Sequence, residues 1–456
     1  MRLGASFRDP SGFLFTRDGT LYRQVDRSGE AAYRRLMESG LYQALVDRTL
    51  LIPHREVDVP PAEPGAALLL APERVAFVSH PYEWCFSELQ EAALATLAAQ
   101  RLALAHGMWL KDASAFNVQF HDGRPLLIDT LSFDLYPEGR PWVAYRQFCQ
   151  HFLAPLALMA CRDLRLGRLS AAHLDGVPLD LACALLPHSA RLRPGLLLHL
   201  YLHAASQRRH AGRGAAPSTY RMSRRALEGL CESLERAIRR PRWRGQASMW
   251  SEYYGDTNYS AAAFAHKREL VGDFLSRVRP ASLWDLGANT GLFSRQAAAA
   301  GIPTLAFDAD PVAVELAFRE CRRLGERRVL PLCLDLTNPS PALGWAHAER
   351  ASLVERGPAG AVLALALVHH LAIGNNVPLQ SVAALIARLT GAAIVEWVPK
   401  EDSQVKRLLA SREDVFREYA RGPFEAAFTA HFALAAQAPI RDSCRILYLF
   451  QRAEAR

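Results

Sequence analysis

The chain has 456 residues, half of them apolar and 22% charged, which suits two or three ordinary globular domains and excludes a disordered or disulfide-rich class. Its longest apolar runs, 152–160 and 361–368, fall short of the ~20 residues a membrane-spanning helix needs, and the opening MRLGASFRDPSGF lacks a secretory leader's apolar stretch. A cytoplasmic protein with no membrane partner is therefore expected. The net charge of +8 comes from arginine, since only Lys111, Lys267, Lys400 and Lys406 are lysines; alongside abundant Ala and Leu, this reads as codon bias and disfavours a nucleic-acid partner.

In chain order, alternating residues over 13–25 predict a hairpin turning at Arg17-Asp18-Gly19. A helix is expected near 30–47, followed by a connecting segment at 75–84. Then comes LKDASAFNVQF, in which Asp112 and Asn117 stand five apart, and a strand at 126–128 that ends at Asp129. This spacing resembles that of protein kinases and aminoglycoside kinases, where it supplies a base, a metal-binding Asn and a metal-binding Asp. The resemblance implies a kinase-like α+β domain over 1–205, with ATP and Mg²⁺ as cofactors if it is active. It departs from that pattern in two ways. No glycine-rich phosphate loop is present, and no lysine precedes Lys111, so Arg23 is the stand-in that falls on a strand. Two readings follow: a retained scaffold that binds or presents a substrate, or a working kinase.

The stretch SQRRHAGRGAAPS opens a connector, 206–248. Ser218 is expected to cap a helix with Leu227, Leu230, Cys231, Leu234 and Ile238 on one face, ended by Pro241. The basic cluster Arg239, Arg240, Arg242 and Arg244 suits a helix C-terminus. Eight cysteines are scattered without metal-ligand spacing, so no metal site is expected.

From 249 to 456 short apolar strands alternate with helical stretches, the pattern of a parallel α/β sheet. Aromatic residues Trp250, Tyr253, Tyr254 and Tyr259, with Asn258, serve either as packing or as a lid. A strand at 282–285 runs into DLGANTG, a glycine turn leading into a helix. Its spacing is not that of a dinucleotide loop, and Asp285 suits a cofactor carrying an ammonium and a sulfonium better than a pyrophosphate. A second strand ends at Asp308, placed to accept ribose hydroxyl hydrogens, and a third at Asp335, placed for an adenine amino group. A fourth, 361–368, delivers His369 and His370 to the ligand-binding edge; one is expected to be held by backbone contacts and the other to face the reacting methyl group. The NPSP tetrapeptide at 338–341 resembles an amino-methyltransferase signature but follows the wrong strand, and reads as a stiff loop.

In this order of motifs the chain resembles class I methyltransferases that use S-adenosylmethionine (SAM). More narrowly, DLTNPSPALGW, LALVHHLAIGNNVP and VEWVPKEDSQVKRLLASRED resemble a bacterial family of such enzymes, some of them nodulation-related. The resemblance implies a Rossmann-like fold and cofactor roles for Asp285, Gly287, Asn289, Gly291, Asp308 and Asp335. The expected activity is methyl transfer to a small molecule or glycan. A bifunctional kinase–methyltransferase, in the manner of enzymes that cap bacterial O-antigen chains, is the second reading. An RNA-modifying protein is the third, weakened by the scarcity of lysine.

Overall fold

Apolar residues at alternate positions make Gly12–Arg17 (β1) and Thr20–Asp26 (β2) an antiparallel pair, joined through Asp18 and Gly19 at φ 50° and 75°, a turn whose twist matches the strands. The computed structural model describes residues 2–210, 221–243, 245, 259–410 and 413–452. It divides into two compact units: Met1–Gly245 with Ala342–Arg350, and Gln246–Pro341 with Ala351–Arg456.

In unit 1, His54–Glu56 (β3) and Ala66–Pro72 (β4) complete a four-stranded sheet in the order β1-β2-β4-β3. The single helix expected near 30–47 is two helices, Arg27–Glu38 and Leu41–Asp47, broken at Ser39-Gly40. A long buried helix, Phe86–Ala105, follows, and then two short ribbons. Met108–Leu110 (β5) pairs with Phe133–Leu135 (β8), and Val118–His121 (β6) pairs with Arg124–Leu127 (β7). A small sheet, a long helix and paired ribbons flanking a polar loop make a kinase-like α+β arrangement.

The connector helix is Arg224–Arg239 and counts with unit 1. Ser223 caps it, its hydroxyl accepting from the Ala226 N–H at 3.3 Å, whereas Ser218 lies outside the described residues. Leu227, Cys231, Leu234 and Ile238 bury the expected face, and Gln90 of the long helix donates to the Ile238 carbonyl at 2.8 Å.

In unit 2 the strands are Leu283–Leu286 (β9), Thr304–Asp308 (β10), Val329–Cys333 (β11), Ala361–Ala364 (β12), Ala392–Trp397 (β13), Ala433–Pro439 (β14) and Ile446–Gln451 (β15). Their order is β11-β10-β9-β12-β13-β15-β14; the first five are parallel and β15 is antiparallel to its neighbours. The direction of winding reverses between β9 and β12, and the carboxyl ends on either side of such a point form a crevice where ligands bind. Leu283, Leu363, Ile394 and Leu449 bury one face and Trp284, Val362 and Val395 the other, as a sheet covered on both sides requires.

β12 is half as long as the expected 361–368. Ala366 takes a left-handed φ of 50°, and the chain passes into a widened helical turn, His370–Gly374. The apolar run continues because Leu365, Ala366 and Val368, in the loop itself, are also buried, so hydrophobicity alone cannot mark the strand's end. Among the described residues no helix is long and apolar enough to cross a membrane.

Candidate active site

The crevice of unit 2 is built around the turn after β9. Gly287 has φ +75° and Gly291 φ +73°, a region that side chains disfavour, and a Cβ on Gly287 would meet the Leu367 Cδ1 at 3.2 Å. The amides of Gly287 and Ala288 both donate to the Phe307 carbonyl at 2.9 Å, tying the turn to β10. Asn289, at φ 51°, donates its amide to Asp308 Oδ2 at 2.7 Å, and Asp310 donates to Oδ1 at 2.9 Å.

Asp308 therefore bridges turn and strand while staying half-buried. Burial pushes its carboxyl up to about 6 against the pull of those amides. Asp285 is enclosed, accepts the Ser294 hydroxyl at 2.6 Å, and is likewise pushed up to about 6 by burial. Asp335 stands two residues beyond β11 and folds onto its own turn, its Oδ1 accepting the Thr337 amide at 2.9 Å and hydroxyl at 2.6 Å. The third acid thus acts as a loop cap, with only its second oxygen left toward a ligand.

His369 and His370 follow β12 with ring centroids 4.1 Å apart. The His369 ring is fully enclosed, and neither of its nitrogens has a hydrogen-bond partner among the described residues. His370 reaches the surface in part, and its carbonyl accepts from Asn375 at 2.9 Å. Burial lowers both, His370 to about 4 and His369 well below its ordinary value, with the Arg445 charge adding to each, so both rings are neutral near pH 7.

Beside them lies a buried charge network that sequence reading missed. Glu396 on β13 pairs with Lys267 at 2.6 Å and Arg445 at 3.3 Å, and accepts the Tyr259 hydroxyl. Arg445 grips Asp402 with both arms, at 2.8 and 3.1 Å. Burial works to raise Glu396, but the two cations hold it below the usual carboxylate range. A visible signal was one acid inside the apolar strand AAIVEW. Of the aromatic residues weighed as a lid, Tyr259 is in this network, and residues 250 to 258 lie outside the described residues.

In unit 1 the structure brings Asp112, Asn117 and Asp129 together. Asp112 accepts from the Ser114 amide at 2.9 Å and from Gln147 at 2.7 Å. Asn117 donates to Ser132 Oγ at 3.2 Å, and Ser132 donates to Asp129 Oδ2 at 2.7 Å. Burial first, and then the nearby Asp129 charge, raise Asp112. Arg23 of β2 is buried and pairs with Asp129 Oδ1 at 2.9 Å and with Asp9 at 2.5 Å. Asp129 Oδ1 also accepts the Leu131 amide at 3.1 Å, so both of its oxygens are engaged. From the distant segment of the same unit, the Arg350 guanidinium lies 4.2 Å over the Phe116 ring and Glu349 pairs with Arg8 at 2.7 Å.

Strand order, switch point and glycine turn make unit 2 a class I methyltransferase fold, preceded by a kinase-like domain. The chain is 35% identical over 467 residues to the nodulation protein NoeA of Rhizobium meliloti (strain 1021), covering 99% of this chain and 96% of that one. It belongs to the NoeA family. No protein-family profile matches it.

Among solved structures, the bifunctional kinase–methyltransferase WbdD is similar at 18% identity and a TM-score of 0.30, over 44% of this chain and 41% of WbdD. This chain thus matches less than half of WbdD. Magnesium protoporphyrin IX methyltransferase (ChlM) from Synechocystis PCC 6803, with bound SAH, is similar at 16% identity and a TM-score of 0.32, over 45% of this chain and 93% of that one. The N-methyltransferase NodS from Bradyrhizobium japonicum WM9 is similar at 10% identity and a TM-score of 0.32, over 42% and 98%. At such scores the likeness adds nothing to the topology already described.

Proposed function

We propose that unit 2 transfers the methyl group of SAM to an acceptor on a small molecule or glycan. In this reading unit 1 is a kinase-like domain that binds or presents that molecule without phosphorylating it. The observation that carries the reading is the pair of strand-end acids, Asp285 and Asp308, bracketing a turn whose two glycines leave its backbone bare.

These residues suit SAM. Asp308 accepts two backbone amides and keeps lone pairs for a pair of ribose hydroxyls. Asp285 supplies negative charge toward an ammonium and a sulfonium, Gly287 and Gly291 allow close approach, and Asp335 offers its second oxygen to an amino group. SAM itself would bring a methyl carbon already activated for displacement. The chain's part is to align the acceptor, exclude water and take a proton where the acceptor gives one up. His370, neutral and partly exposed, is assigned to the proton; enclosed His369 is assigned to holding the His370 ring in place.

Calorimetry with SAM and SAH tests the reading. Asp308→Ala removes a charged hydrogen-bond partner and is expected to weaken binding by ~1.5–3 kcal/mol, roughly ten- to a hundredfold; unchanged affinity overturns the assignment. Labelled SAM incubated with metabolite and glycan pools, with and without ATP, identifies the acceptor by mass shift.

The convergence of Asp112, Asn117 and Asp129 favours a second reading, a bifunctional kinase–methyltransferase. Against it, Asp129 is occupied by Arg23, Leu131 and Ser132, an arrangement that does not fit a Mg²⁺ ligand.

A further inference from the structure

Unit 1 carries an exposed apolar face far along the chain from the polar loop of its cleft. Leu192 is 84% exposed, Leu202 54% and Leu198 48%, with Leu185 and Leu197 also open. Leu196, His199, Leu200 and Ala204 turn into the core, so Leu198 and Leu202, one helical turn apart, share the outward side. Arg191 lies 5.2 Å over the Tyr201 ring, which brings the Leu192 segment to that same side. Arg191 and Arg208 both act electrostatically on the Cys183 thiol, as does the exposed Asp180, so two guanidiniums and one carboxylate lie near that thiol. Around it the sequence changes character. Residues 181–227 hold eight arginines and no Asp or Glu, in a chain where acids number 46 of 456. A general bias toward arginine explains the eight cations but not the missing acids.

We propose that this face seats the protein on an anionic lipid bilayer, with the leucines entering the boundary between headgroups and acyl chains and the arginines pairing with lipid phosphates. Exposed leucine among guanidiniums that outnumber the acid beside them is the chemistry such a surface selects. A nucleic acid would use the arginines and leave the leucines in water. A second copy of the same face would set arginine against arginine. The absence of a membrane partner expected from the sequence rested on the lack of a spanning run, and a surface seat needs none.

The test is cosedimentation of the full chain with vesicles of phosphatidylcholine alone and of phosphatidylcholine containing phosphatidylglycerol. The protein is expected to bind only the anionic vesicles and to be released by salt. Leu192→Ser/Leu198→Ser/Leu202→Ser and Arg191→Gln/Arg208→Gln are each expected to lower partitioning at least about tenfold with unchanged melting. If the triple leucine variant melts early, Leu192→Ser alone, at the most exposed site, serves in its place with a smaller loss. Failure of the unmodified chain to bind anionic vesicles overturns the proposal. So does leucine-independent binding, which marks a surface for RNA or an acidic protein.

Discussion

Replacing Asp285 with Asn should make the protein more stable and less able to bind its cofactor. The carboxyl is enclosed and raised from 3.8 to about 6, chiefly by burial. At 1.36 kcal/mol per pKa unit the ionised form carries a folding cost of about 3 kcal/mol at neutral pH. Because the folded-state pKa is the higher one, this group's stability is fully present below about pH 4 and is lost as pH rises through about 6. Asn is never ionised and can still accept the Ser294 hydroxyl. Above pH 7 the variant should therefore melt roughly 6–12 °C higher, at 2–4 °C per kcal/mol for a unit of this size, and the gain should vanish near pH 4. The assays are calorimetric melts of the ligand-free protein across that range and SAH titration at pH 8, where affinity should fall at least about tenfold. A variant less stable than the parent at pH 8, or one whose pH profile matches the parent's, would refute the reasoning.

Arg445→Met takes the buried cation from Asp402, leaves Glu396 with Lys267 alone, and should cost about 3–5 kcal/mol in urea unfolding; a loss below about 1 kcal/mol would mean that water reaches the network. His370→Ala should lower turnover more than SAM affinity, a split read from kcat against the dissociation constant. Because the ring is lowered to about 4, no activity loss assignable to its protonation should appear between pH 6 and 8. Arg23→Ala should leave Asp129 without its counter-ion and create Mg²⁺ affinity measurable by calorimetry where the parent has little; strong Mg²⁺ binding by the parent would contradict the clamp.

Much of unit 2 is legible because its strands are apolar runs that end in acids, and because a glycine turn after the first of them has few structural alternatives. The end of β12 is not legible: Leu365, Ala366 and Val368 look like strand yet line a buried loop. Asp112, Asn117 and Asp129 can be found by spacing alone, since a local ribbon sets their separation. That Arg23 closes on Asp129 is a contact between remote segments, and no local pattern encodes it. Of the Lys267–Glu396–Arg445–Asp402 network only Glu396, inside AAIVEW, stands out in the sequence; the other three look like surface charges until folding encloses them. Nor does the sequence show that Asp335, placed for an adenine amino group, spends one oxygen on Thr337.

The membership of Ala342–Arg350 in unit 1 has a consequence for synthesis on the ribosome. Translation delivers Gly245, the end of that unit's main segment, about a hundred residues before it delivers Glu349 and Arg350. At roughly 5–20 residues per second, Arg8 and Phe116 wait roughly 10–70 s for their partners. By then the first three strands of unit 2, through Cys333, have also been made. The N-terminal unit therefore becomes complete only after part of its successor has been made, whereas consecutive domains usually finish one before the next begins. A fragment cut at the visible boundary would leave Arg8 unpaired and Phe116 uncovered, so the two halves are better expressed as one chain than as separate pieces.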